Sequence, residues 1–238
     1  MSLVSFNNLS EADKAKAVET LVSQSTPNQD FFFMTFLAVL MATFGILIDN
    51  ITVMIGSMLI APLLSPILSF SLGIIISDGK LISRSAGTIL KSMVWSIMGA
   101  FTITILFSGG QVPEGVLSSL QPSFLYLGVA IVSGFAATFT LVKPKLNERL
   151  TGVAIAVALL PPLALIGVGI AQWSWAVITN AFLLFLLNII GIVFASMITF
   201  SLMNFYVERR VARESIREED QKMKEEAQAQ ETQNQPEL

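Results

Sequence analysis

Away from the ends of its apolar runs, this chain carries few side chains able to do chemistry: Ser57, Ser65, Ser69, Thr138, Thr179, Asn180 and Asn188. All are uncharged hydrogen-bonding groups. Histidine and cysteine are absent from the 238 residues, which removes the commonest general base and metal ligands and rules out a disulfide. Asp49, Asp78, Lys91 and Lys143 fall near the ends of apolar runs, so a proton relay of buried carboxylates has no residue to run on. A Ser-His pair and an intramembrane aspartate dyad are excluded on the same grounds. Neither a GxxxxGK[ST] phosphate loop nor a dinucleotide fingerprint is present.

What remains is the chemistry of the backbone. Gly56-Ser57-Met58-Leu59-Ile60-Ala61-Pro62-Leu63-Leu64-Ser65-Pro66 and Ala158-Leu159-Leu160-Pro161-Pro162-Leu163 place prolines inside apolar runs. Proline removes an amide donor and its ring collides with the carbonyl one turn back, so each run is expected to break there. Carbonyls freed at a break can coordinate a cation, and the N-terminus of the following half-helix can hold an anionic group. The expected substrate or ion site therefore sets Gly56, Ser57, Pro62, Ser65 and Pro66 against Pro161, Pro162 and Asn188. No catalytic residue, metal ligand or cofactor is expected. Two roles stay open for Asn188, a ligand contact or an interhelical hydrogen bond worth about 1 kcal/mol. Ser57 and Ser65 either line the site or satisfy local carbonyls.

The elements that position these groups are apolar helices. The chain is 53% hydrophobic and 13% charged, with a mean hydropathy of +0.71; soluble domains carry roughly 25% charged residues. Six spans of about the length needed to cross a bilayer are expected, at 31–48, 51–76, 87–107, 124–142, 150–171 and 175–206. Residues 1–30 read as a cytoplasmic N-terminal segment with a short amphipathic helix capped by Ser10. Residues 31–206 are the six-span domain, and 207–238 a charged, partly disordered cytoplasmic tail that continues the sixth helix for a few turns. The leader is polar, so the first span reads as an uncleaved anchor. Small residues at four-residue spacing (Ser92, Ser96 and Ala100; Ala130, Gly134 and Thr138; Gly191 and Ala195) read as helix-packing faces.

All 14 lysines and arginines fall in the N-terminal segment, the second and fourth connections and the tail. Basic residues stay on the cytoplasmic side, so both termini are expected there. Ala42-Thr43-Phe44 recurs as Ala137-Thr138-Phe139, 95 residues on, and Pro62 matches Pro161, 99 residues on. Three spans followed by three spans makes the halves inverted repeats, with the second helix of each broken at proline.

The runs Ile55–Pro66 and Gly152–Ala164, with Asn188 and Gly191 downstream, resemble the uncharacterised hydrophobic domain family of prokaryotic membrane proteins, domain-of-unknown-function family 389. The resemblance covers roughly residues 35–200. It implies a six-span inner-membrane protein and no particular activity.

The fold class expected is thus an all-α membrane protein. Its expected function is that of a small transporter-like or channel-like, non-enzymatic protein with a polar site at the midplane. Membrane lipid, a second copy of the chain and a small molecule or ion are its expected partners; nucleic acid is not. The alternative is a non-transporting assembly or sensor protein that binds a cytosolic partner.

Overall fold

A computed structural model describes residues 10–107, 122–143, 159–205 and 209–233. Every regular element among them is helical: α1 (Glu11–Gln24), α2 (Gln29–Leu47), α3 (Ile51–Ile60), α4 (Leu64–Ile75), α5 (Gly79–Phe107), α6 (Phe124–Val142), α7 (Leu160–Ala171), α8 (Trp175–Leu202) and α9 (Arg209–Gln233). Four of these are long and apolar enough to cross a membrane, and the bent pair α3–α4 makes a fifth. The side chains are distributed as lipid requires. On α5 the buried residues include Ser85, Thr88, Ser92, Ser96 and Thr104, while Leu90, Val94, Trp95 and Met98 are exposed. That is a hydrocarbon-facing surface around a partly polar interior. The chain is a multi-pass α-helical membrane protein.

The expected break in the 51–76 run is present. α3 ends at Ile60, and α4 starts four residues later at an angle of 53°. Ala61 is extended, with ψ 121°, as the residue before a proline must be when the ring excludes it from the helical region. Only Pro62 lies in the break. Pro66, Pro161 and Pro162 sit in the first turns of α4 and α7, where their missing N–H groups would have had no intrahelical partner. In hydrocarbon an absent donor costs less than an unpaired one. Three of the four prolines therefore start helices rather than break them. The 150–171 span is described only from Leu159, so its earlier residues lie outside the described set, as do 108–121.

α4 and α7 form the central row. α5 packs along both on one flank and α8 along both on the other. α2 lies against α3, α5 and α7, and α6 lies along α8. The α6–α8 contact uses the expected small residues: Thr138 Oγ1 lies 2.9 Å from Ser196 Oγ.

Three helix reversals share one scheme. After α2, α4 and α7, the residues Asp49, Ser77 and Trp173 adopt φ of 51°, 52° and 54°. Asn50, Asp78 and Ser174 then donate their N–H groups to Gly45, Gly73 and Gly169 at 2.8, 2.9 and 2.9 Å. These are six-to-one Schellman bonds, which close the helix end on itself. A glycine is needed at their start because the returning helix presses on it. A Cβ on Gly73 would lie 2.9 Å from Ile82 Cγ1, and one on Gly169 would lie 2.9 Å from Ile178 Cγ1.

The tail differs from expectation. α8 ends at Met203-Asn204, where Asn204 has φ 58°, so α9 is a separate helix and not an extension of α8. It packs on α1, burying Ala212 and Ile216 as α1 buries Val18, Leu21 and Val22. Val211 and Ile216 thus serve packing within the chain.

A Cβ on Gly167 would lie 2.5 Å from the Ile97 carbonyl oxygen, a backbone atom that cannot swing aside, whereas one on Gly87 would meet nothing within 4 Å. Gly167→Ala is therefore expected to destabilise the protein by about 1–3 kcal/mol and Gly87→Ala to leave it unchanged or slightly firmer. Thermal unfolding of both variants in detergent checks this.

Candidate functional site

The first turns of α4 and α7 face one small void. Its lining pairs residues 96 apart: Leu63 with Leu159, Ile67 with Leu163, Ile89 with Phe185, plus Met93. Leu63 and Leu159 occupy the N-cap positions of their helices, and neither makes a side-chain cap. The void measures about 10 Å³, at the lower limit of room for one water, which would also need polar partners. Among the described residues the side chains that line it supply none. The two short helices therefore meet N-terminus towards N-terminus across an apolar contact.

None of the expected site residues is among the described residues that line this void. Ser57 is fully buried, and its Oγ donates to the Met54 carbonyl at 2.6 Å; it satisfies a local carbonyl. Gly56 is half-buried on α3, where a Cβ would meet Met41 Cε. Ser65 lies away from the void, with its Oγ donating to Gln24 Oε1 of α1 at 2.9 Å. Ser69, one turn on, donates to the Leu21 carbonyl at 2.9 Å. Pro66, Pro161 and Pro162 are buried in the helix starts that flank the void. Asn188 is buried on α8, three residues beyond Phe185, and is engaged in a polar interaction.

The same half-helix is braced from its other end. Asp78, only 2% exposed, caps α5 through Oδ1, which accepts from the N–H groups of Lys80 and Leu81 at 3.1 Å each. Its Oδ2 accepts from Arg213 Nε of α9 at 2.8 Å. Asp220 of α9 pairs with Lys80 and, at 2.6 Å, with Arg84. Arg84 also donates to Thr26 Oγ1 at 2.9 Å. Burial on its own would raise the Asp78 carboxyl, but the Arg213 hydrogen bond and the two backbone donors outweigh it and hold it below its ordinary value of 3.8. For Asp220, burial also pulls upward, and Lys80 and Arg84 together bring it below that value. Sequence reasoning missed this brace because each charge was read as topology. Its signal was the apolar stripe of α9 opposite that of α1.

The family described as a domain of unknown function, DUF389, matches residues 58–194, from α3 across the break and on into α8. An uncharacterised protein of Methanocaldococcus jannaschii is 32% identical over 183 residues, which is 73% of this chain and 54% of that protein. The chain thus spans about half the length of the curated relative it matches. No solved structure matches it.

Two outcomes follow for the naturally cysteine-free chain. Ser65→Cys is expected to react with an aqueous maleimide and Ser57→Cys to be protected, since only Ser65 reaches the surface; mass spectrometry after labelling reads this directly. Both brace aspartates have depressed values, so their ion pairs are fully present above the ordinary aspartate range and are lost as the pH falls through the depressed values. Hydrogen exchange of Arg209–Gln233 should therefore quicken on acidification below about pH 4. Asp220→Asn should flatten much of that response.

Proposed function

We propose that this chain, which belongs to the DUF389 family, is a small transporter-like or channel-like protein of the inner membrane whose path runs where α4 and α7 meet. That meeting carries the reading. Each helix has 12 residues, about 18 Å, or little more than half of a hydrocarbon core of about 30 Å. Half-length helices that start at depth suit a path better than simple anchoring.

We read the halves as inverted three-span repeats and the whole as six spans with both termini in the cytoplasm. α2 and α6 have 19 residues each and start 95 apart; α4 and α7 start 96 apart, as do α5 and α8. The α4–α5 and α7–α8 reversals share their hydrogen-bond scheme. In this register Pro66 pairs with Pro162, a better match than Pro62 with Pro161. The orientation is supported by the mutual contacts of α1, the Asp78 reversal and α9, three segments that carry basic residues and belong on one side.

The path would carry an ion or small solute. The α4 and α7 starts are poor anion holders, because prolines remove one of the first-turn donors in α4 and two in α7. Pro66 and Pro162 act here as helix starters, with Asn188 nearby on α8. No catalytic group, cofactor or nucleic-acid contact is assigned. Lipid and a second copy of the chain are its neighbours.

One observation favours a non-transporting sensor or assembly protein instead: the polar groove of about 390 Å³ between α1 and α9, lined by residues including Glu19, Gln24, Glu218 and Lys222. Purified protein in liposomes, tested under separate gradients of potassium, sodium, chloride and phosphate, separates the two. The path reading expects protein-dependent flux of at least one ion. Silence across the panel, together with a cytosolic protein bound in a manner abolished by Glu218→Lys, would favour the sensor.

A further inference from the structure

We propose that the contact between the α4 and α7 starts is a hydrophobic gate, closed in this structure, and that α5 forms the wall of the path on both sides of it. The inference rests on reading that contact as the path. Two observations carry it, the apolar contact itself and a pair of unpaired hydroxyls.

The void between α4 and α7 is lined by Leu63 and Leu159 at the helix starts and by Ile89 and Met93 of α5. Among the described residues no charged side chain lines it. Such a constriction excludes water and stops conduction by dryness, blocking cations and anions alike.

The second observation lies on the same helix. Buried hydroxyls in apolar helices usually return to the carbonyl one turn back. On α5, Ser92 and Thr104 do so at 2.7 Å each. Ser85 and Ser96 do not: both are fully buried, and neither Oγ has a hydrogen-bond partner. An unpaired buried hydroxyl is costly, so its retention asks for a reason. Ser85 stands four residues before Ile89, and Ser96 three residues after Met93, which sets all four on one face of the helix. Ser92 shares that face but returns its hydroxyl to Thr88, so the two unpaired hydroxyls stand one before and one after the apolar pair Ile89 and Met93 along the helix. Hydroxyls that forgo their own carbonyls are free to take up water or a polar solute on either side once the seal wets.

The test separates dryness from size. Leu63→Asn with Leu159→Asn keeps the number and branching of side-chain heavy atoms and adds polar groups; Leu63→Ala with Leu159→Ala enlarges the void further and keeps it apolar, and apolar cavities of such size stay dry. Osmotic water permeability of proteoliposomes, read by stopped-flow light scattering, is expected to rise at least about threefold over the wild type for the Asn pair. The Ala pair should stay as tight as the wild type. Thermal unfolding confirms that each variant is folded, and the single substitutions serve where a pair is not. Folded Asn variants no leakier than the wild type would overturn the gate, and so would Ala variants that leak as much as the Asn pair. The outcomes also separate gate from path. An ion flux by the wild type with unchanged Asn variants leaves the path standing without this gate, whereas a silent ion panel with tight Asn variants removes both.

Discussion

In hydrocarbon, every backbone N–H and C=O must find a partner inside the protein, and the rest of this structure depends on how the chain meets that demand where its helices stop. Schellman closures do it at three reversals, turning each end inward and allowing the next helix to return at once. At the starts of α4 and α7 a different device serves: prolines occupy positions whose donors would have been orphans. A proline that would wreck a helix interior is harmless there. The chain can thus begin two helices without polar side chains to cap them, and the described residues that line the space between them are apolar.

That arrangement explains which parts were legible in the sequence. Four or five of the six expected apolar spans, the break near Pro62, the Ser10 cap and the packing of small residues follow from composition and spacing. Pro62 stands in its break as expected, whereas Pro66, Pro161 and Pro162 each stand in the first turn of a helix. The reversals were readable in principle, as Gly45, Gly73 and Gly169 each precede by five residues an Asn, Asp or Ser at the start of the next helix. They were hidden because the left-handed residue is Asp49, Ser77 or Trp173 and not glycine.

Sequence pointed to the two proline-bearing stretches, and the described starts of α4 and α7 line one small void. It expected polar groups at that point, whereas Ser57 turns to its own helix and Ser65 and Ser69 turn to α1. A serine's direction depends on which neighbour packs against it, and the docking of α1 and α9 lay beyond local pattern. The same docking holds α4 from the polar side, so the half-helix is fixed at one end by ion pairs and at the other by dry contact.

The Arg213–Asp78 pair joins residues 135 apart in the chain, and this gives the protein a history as well as a shape. At roughly 5–20 residues per second, the ribosome delivers Arg213 roughly 7–27 seconds after Asp78. Through that interval the two backbone donors of α5 are within reach of the carboxylate and Arg213 is not. The hydrogen bonds of the reversal lie within residues 73–81 and can form before Arg213 exists, so α9 can arrive as a clasp on helices already made.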